Sequence, residues 1–289
     1  MPELPEVETT RRFLAPELTG RRILSVEVRR PRMVRRHERP VDFADRLTGR
    51  HIIKTGRHGK FMLVDVEGDI VWVTHLGMSG RVQMATSGDE EAPHTNVVVT
   101  LDSGREFRLV DPRMFGFVAA YTPDEYAEST LMRLGPDAYD DLPTSRHLAE
   151  RLAGRTAPIK PLLLDQGIVA GLGNIYADET LHRARLSPFR PAGGLSFDEV
   201  KRLRAAVKAT LAAGLKWGGT SLDDLAYLLP DGRAGEFLNR LQAYGRENEP
   251  CRRCGTPIQR AVLRGRSTFW CPRCTGSGWE PQAGSSTSH

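Results

Sequence analysis

Phe61-Met62-Leu63-Val64-Asp65-Val66, then Glu67-Gly68-Asp69, then Ile70-Val71-Trp72-Val73-Thr74-His75: two short runs rich in β-branched and aromatic residues, joined by a glycine turn, read as a β-hairpin. Runs of the same kind lie on both sides of it, at Arg22–Arg29, Asn96–Leu101, Glu106–Val110 and Gly116–Tyr121, with another turn signal at Asp102-Ser103-Gly104. Short strands at this spacing predict a β-sandwich or barrel over residues 20–120. Between them, the charge-dense segment Arg29–Arg39 reads as a solvated loop, and Ser87–Pro93 as an exposed acidic loop tip.

Beyond residue 122 the apolar period changes to that of helices. Ser145–Ala153, Ile159–Gln166 and Ile175–Ala184 are short periodic runs, and Ser196–Leu215 is a long one with Ser196 and Glu199 placed as a capping box. Glycine joints flank these helices. Val169-Ala170-Gly171-Leu172-Gly173-Asn174 leads into a helix start, where free backbone N–H groups suit an anion, although a tight helix–helix turn explains it as well. Gly218-Gly219-Thr220-Ser221 ends the long helix. The polar, glycine- and serine-rich tail after Cys274 is expected to be disordered.

All four cysteines fall in one segment, Cys251-x2-Cys254 and Cys271-x2-Cys274, a spacing that fits one tetrahedral zinc ion. Four thiolates leave no open position for substrate, so one structural zinc per chain is predicted. No signal region opens the chain, which disfavours disulfides, and no run approaches the ~18 apolar residues of a membrane span. A cytosolic protein without a membrane partner is expected. The 289 residues suffice for two cores, and the net charge of +5 leans toward a polyanionic partner.

The first dozen residues, Met1-Pro2-Glu3-Leu4-Pro5-Glu6-Val7-Glu8-Thr9-Thr10-Arg11-Arg12, read as a helix start with Pro5 at its first position and acids in its first turn. They also carry chemistry. Proline is a small second residue of the kind left at the chain start when the initiator methionine is trimmed, and Pro2 would then bear a secondary amine. Such an amine titrates at roughly 7.7–8.0 against about 10.4 for lysine, so it is partly neutral and nucleophilic near pH 7. The helix N-terminus disfavours its protonated form further. Glu3 beside it is a candidate proton shuttle. On these residues alone, an acidic, proline-punctuated helix cap is the preferred reading.

With MPELPEVETTRR stand His75-Leu76-Gly77-Met78-Ser79-Gly80, Asp111-Pro112-Arg113-Met114-Phe115-Gly116, Gly173-Asn174-Ile175-Tyr176-Ala177-Asp178-Glu179, Tyr244-Gly245-Arg246 and the four cysteines. In this order the chain resembles bacterial formamidopyrimidine-DNA glycosylases from Met1 to Cys274, and its LPEVE opening differs from that of the related endonuclease VIII branch. The resemblance implies an α+β protein: an N-terminal β-sandwich with a leading α-helix (1–122), a linker (123–144), a helical helix-two-turns-helix domain (145–238), a zinc-finger β-hairpin (239–275) and a tail (276–289). It implies a monomeric enzyme of the bacterial cytoplasm, associated with the nucleoid through DNA. That enzyme excises 8-oxoguanine and formamidopyrimidines from damaged double-stranded DNA, then nicks the abasic site. The alternatives are an oxidised-pyrimidine enzyme of the endonuclease VIII kind and a non-catalytic damaged-DNA binder.

By the same resemblance Pro2 is the nucleophile and Glu3 the acid/base, while Glu6 matches a further acidic position of the site or is a first-turn carboxylate favoured by the helix dipole. Met78, Arg113 and Phe115 fill the gap left by the extruded base, and Lys60, His75, Asn174, Tyr244 and Arg266 meet phosphates. The chain departs from the pattern at Met114, where a second arginine is common. It also departs at 220–237, the counterpart of the lesion-capping loop, which is slightly long and carries Glu236 where an aromatic often sits.

Overall fold

The computed structural model describes residues 2–221 and 227–276. Apart from Gly276, the tail expected to be disordered lies outside the described residues, as do residues 222–226 of the 220–237 stretch. Helix α1 (Leu4–Leu18) starts one residue earlier than its proline suggests, with Glu3 as N-cap and Pro5 in the first turn, where its missing N–H has no partner to lose. The chain continues through β1 (Ile23–Val28), α2 (Pro40–Leu47), β2 (Ile52–His58), β3 (Phe61–Val66), β4 (Ile70–His75), β5 (Arg81–Thr86), β6 (Thr95–Leu101), β7 (Arg105–Val110) and β8 (Phe117–Tyr121).

These strands form two antiparallel sheets, ordered β1-β6-β7-β5 and β2-β3-β4-β8. Their inner faces pack together: Trp72 of β4 meets Phe107 of β7 edge to face at 4.8 Å, in a core with Val64, Val97, Val99 and Leu109 that also takes Val7 and Leu14 from α1. The N-terminal half is thus a sandwich. The outer face of the second sheet buries Val73, Phe117 and Ala119 against Leu131, which follows helix α3 (Pro123–Glu128) in a 3-10 turn. Strands β2 and β5 and helix α2 were not expected from the sequence. Segment 29–39 is not simply a solvated loop either, since a 3-10 turn at Pro31–Val34 buries Met33 and Val34 in the core.

The described chain gathers into two compact units. The first takes in the chain up to Asp137 together with Leu211–Arg240, and the second takes Ala138–Thr210 and the chain from Leu241 on. The helices are α4 (Ser145–Leu152), α5 (Ile159–Leu164), α6 (Asn174–Ala184) and α7 (Phe197–Lys216), each within one or two residues of its expected place. Ser196 and Glu199 form the expected capping box of α7: each side chain accepts the other residue's N–H, at 2.8 and 3.3 Å. The second unit ends in a hairpin of β9 (Gln259–Leu263) and β10 (Arg266–Trp270). Its two-residue turn, Arg264-Gly265, has positive φ at both positions, the backbone twist that matches a right-handed strand pair.

Candidate active site and nucleic-acid interface

Pro2, Glu3 and Glu6 are all buried at the head of α1. Glu6 turns back on its own helix: Oε2 accepts the Glu3 N–H at 2.8 Å, and Oε1 accepts the Thr220 N–H at 2.7 Å. The close approach of the 218–221 segment needs glycine. Gly219 has φ +82°, and a Cβ there would come within 2.8 Å of the Glu6 carboxylate. Tyr227, also buried, donates its hydroxyl toward the Glu6 carbonyl at 3.3 Å. One turn along, Glu8 pairs with Arg11, Arg12 and the fully buried Arg57 of β2, which also pairs with Asp137. These ion pairs fix α1 to the sheet that carries the rest of the site.

Lys60 is buried in the β2–β3 turn, whose Gly59 N–H donates to Asp137 at 2.8 Å. His75, at the end of β4, lies between the rings of Phe61 (4.8 Å) and Phe117 (5.7 Å). Burial pushes its imidazole down to about 4, helped by the charges of Lys60, Arg35 and Arg36. It is therefore neutral at pH 7. Its Nδ1 accepts the Gly77 N–H at 3.1 Å, which leaves the proton on Nε2 as a donor.

Two turns follow from this sheet. Met78 and Phe115 are 38% and 42% exposed, where an ordinary core methionine and phenylalanine would be covered. Arg113 is exposed as well, with its guanidinium stacked over Phe115 at 4.9 Å. Met114, the departure from the family pattern, has φ +51° and packs its side chain onto the sandwich core.

In the second unit, α6 anchors three features through its own polar residues. Asn174 donates Nδ2–H to the Ser267 carbonyl at 3.0 Å, next to the exposed Arg266 at the start of β10. Asp178, fully buried, accepts the Phe269 N–H at 3.0 Å and pairs with the buried Lys160 at 2.7 Å. The Lys160 ammonium also donates to Ser267 O and Thr268 Oγ1. Glu179 accepts the N–H groups of Gln242, Ala243 and Tyr244, all within 3.0 Å, and so shapes the turn that carries Tyr244. Tyr244 packs edge to face on Phe269 at 5.2 Å. Asn174, Tyr244 and Arg266 are therefore brought together on one rigid frame. Lys160 and Glu179 were missed in the sequence because their partners, a buried carboxylate and hairpin oxygens for Lys160 and backbone amides for Glu179, are brought near only by folding and leave no spacing to read.

Cys251, Cys254, Cys271 and Cys274 are free thiols whose sulfurs all lie within 4.8 Å of one another. The shorter separations run from 3.4 to 3.9 Å. Tetrahedral thiolates around zinc, at a Zn–S distance of about 2.3 Å, stand roughly 3.8 Å apart, so the donor set fits one structural zinc ion. His182 Nε2 lies 3.4 Å from Cys251 Sγ, and burial keeps this imidazole low, at about 4, hence neutral.

A β-sandwich headed by an acid-flanked proline, with a helical unit and a four-cysteine ribbon, is the architecture of the formamidopyrimidine-DNA glycosylase/endonuclease VIII class. The family model "Formamidopyrimidine-DNA glycosylase N-terminal domain" matches residues 1–118, the H2TH domain model of the same enzymes matches 134–225, and the zinc finger found in FPG and IleRS matches 248–275. A formamidopyrimidine-DNA glycosylase of Rhizorhabdus wittichii is 46% identical over 95% of this chain and 99% of its own. Among solved structures, the MutM (FPG) protein of Thermus thermophilus superposes with a TM-score of 0.84 at 42% identity, over 94% of this chain and 98% of that one. A Lactococcus lactis FPG variant in complex with Fapy-dG-containing DNA gives 0.87 at 33% identity, over 94% and 99%. The chain belongs to the formamidopyrimidine-DNA glycosylase family.

Proposed function

We infer that the protein is a base-excision repair enzyme: a bifunctional DNA glycosylase and AP lyase that removes oxidised purines, 8-oxoguanine and formamidopyrimidines, from double-stranded DNA. Family membership along the whole chain supports this, and one observation carries it to the chemistry, namely the Pro2–Glu3 pair buried at the head of α1. With Met1 removed, the neutral Pro2 amine attacks C1′ of the damaged nucleotide. The C1′–N bond breaks, the sugar ring opens, and the base leaves with a proton. Glu3 is placed to deliver and recover protons in these steps. The iminium that forms has no N–H to lose, so it stays charged and acidifies C2′. Loss of that proton expels the 3′ phosphate, and the strand is cut. Glu6 holds the Glu3 amide and Thr220 in place.

A base in a duplex is out of reach, so it must be turned out and its gap filled. Exposed Met78 and Phe115 suit a wedge between base steps, and Arg113 suits the partner base. Lys60, His75, Asn174, Tyr244 and Arg266 serve phosphates. The four cysteines would hold zinc, which supplies rigidity to the hairpin bearing Arg266 and takes no part in bond breaking. Among the described residues no helix is long and apolar enough to cross a membrane. The working place we propose is the nucleoid within the cytoplasm, with damaged DNA bound by a single chain.

Borohydride reduction during turnover on an 8-oxoguanine duplex tests the chemistry. A covalent enzyme–DNA adduct is expected at Pro2, and a Pro2→Gly variant, which keeps an amine but a primary one, is expected to trap more slowly. An adduct mapped to Lys60 or another lysine overturns the mechanism. Greater activity on thymine glycol than on 8-oxoguanine favours the endonuclease VIII reading instead.

A further inference from the structure

Asp111 is fully buried where the Met78 turn meets the Arg113–Phe115 turn. Its Oδ1 accepts the Ser79 hydroxyl at 2.7 Å and the Arg113 N–H at 3.2 Å, and its Oδ2 accepts the Gly116 N–H at 2.8 Å. Ser79 adjoins Met78, while Arg113 and Gly116 bracket Phe115. One carboxylate thus ties both turns.

The surrounding backbone is built around this tie. A Cβ on Gly77 (φ +64°) would come within 2.4 Å of the Gly116 nitrogen and 2.5 Å of the Phe115 carbonyl carbon, and a Cβ on Gly116 within 2.8 Å of the His75 oxygen. The two turns therefore lie backbone against backbone, an approach open to glycine. The carbonyls of the second turn are taken from the other side. Arg35 donates to Phe115 O at 3.0 Å and Gly116 O at 2.5 Å, and Arg32 Nε reaches Met114 O at 3.3 Å. With amides on Asp111 and carbonyls on arginines, the turn presents Arg113 and Phe115 outward as side chains on a fixed base.

We propose that Asp111 is the positioning residue of the gap-filling insert: its buried carboxylate fastens the Met78 turn to the Arg113–Phe115 turn, so that the three side chains enter the duplex as one preformed piece. This rests on the assignment of Met78, Arg113 and Phe115 to gap filling. A preformed insert does not have to be ordered on DNA, and that saving appears where a stacked base must be displaced and its partner read. Asp111 touches no reacting atom. Its effect is transmitted through the aim of Arg113 and the separation of the two apolar side chains.

The test compares Ser79→Ala, Asp111→Asn and Arg113→Ala in the zinc-loaded full chain, on 8-oxoguanine duplexes with each opposite base and on preformed abasic duplexes, with thermal unfolding of each variant. Ser79→Ala removes the bond between the turns and spares the bonds Asp111 makes to its own turn. It is expected to slow excision roughly tenfold, the worth of one hydrogen bond to a buried charge, and to narrow the preference among opposite bases. Its Tm should fall by only about 2–4 °C, and abasic nicking should fall less than excision. Asp111→Asn should do the same or more; if it fails to fold, Ser79→Ala decides alone. Should Arg113→Ala flatten opposite-base preference while the other two variants keep it, Asp111 is not the fastener and the gap-filling assignment survives. Should Arg113→Ala leave the preference unchanged, the assignment and the fastener both fall. Equal losses of excision and nicking in Ser79→Ala, with preference intact, would reduce Asp111 to a support of the fold.

Discussion

Glu6 engages two backbone amides at once, its own helix cap at Glu3 and Thr220. In Glu6→Gln one of those amides would face an NH2 group, leaving a buried donor unsatisfied at about 1–3 kcal/mol. The expected outcome is a lower Tm together with slower borohydride trapping. Slower trapping at an unchanged Tm would instead give Glu6 a direct part in proton transfer.

His75 makes a separate prediction for pH. Its folded value of about 4 lies below the unfolded value of 6.5, so the folded protein takes up the proton less readily. The stability this contributes is complete above pH 6.5 and is lost as pH falls through the window down to about 4. Denaturant titrations across that window should show a falling limb that is shallower in His75→Gln. An equal slope in the variant would assign the limb to other groups.

At this scale the cysteines were legible because zinc binding depends on residue type and spacing along the chain, and the roles proposed for Pro2 and Glu3 rest on residue type in the same way. Asp111 and Glu179 were not, since their partners are amides brought near by folding.

Helix α6 shows the same division one level up. Its position was readable from apolar period, while its purpose lies in buried polar residues. Lys160→Met would leave Asp178 without its cation, a loss of about 3–5 kcal/mol for a broken buried pair. Chemical unfolding should register it, and adding Asp178→Asn should recover part. No recovery in the double variant would mean that Lys160 acts chiefly through Ser267 and Thr268.

Strands β3, β4, β6, β7 and β8 were read correctly because their runs are uniformly rich in β-branched and aromatic residues. Strand β2, Ile52-Ile53-Lys54-Thr55-Gly56-Arg57-His58, carries glycine and three basic residues and owes its form to pairing with β3. In α2 the apolar signal reduces to Phe43 and Leu47, which one helical turn brings to the same buried face.

For the whole molecule, zinc is the accessible lever. Chelation under native conditions should open the hairpin around Cys251–Cys274 to proteolysis and weaken binding to abasic duplex, with both effects reversed by added zinc. Binding that is unaffected after complete metal loss would detach the ribbon from DNA recognition. The order of sandwich, helices and ribbon was visible in the sequence through its motifs. The return of Leu211–Arg240 to the first compact unit was not, because it depends on contacts such as Glu6 to Thr220, 214 residues apart.

That return sets a timetable for the newborn chain. Pro2 is made long before Leu211–Arg240, the unit that buries it is unfinished until that segment exists, and at some 5–20 residues per second the interval between them is many seconds. Throughout it Pro2 and its neighbours are open to processing enzymes, and afterwards Pro2 is buried. Pro2 is thus uncovered before the segment that meets Glu6 exists, so any trimming of the leading methionine that the proposed chemistry requires belongs to that interval.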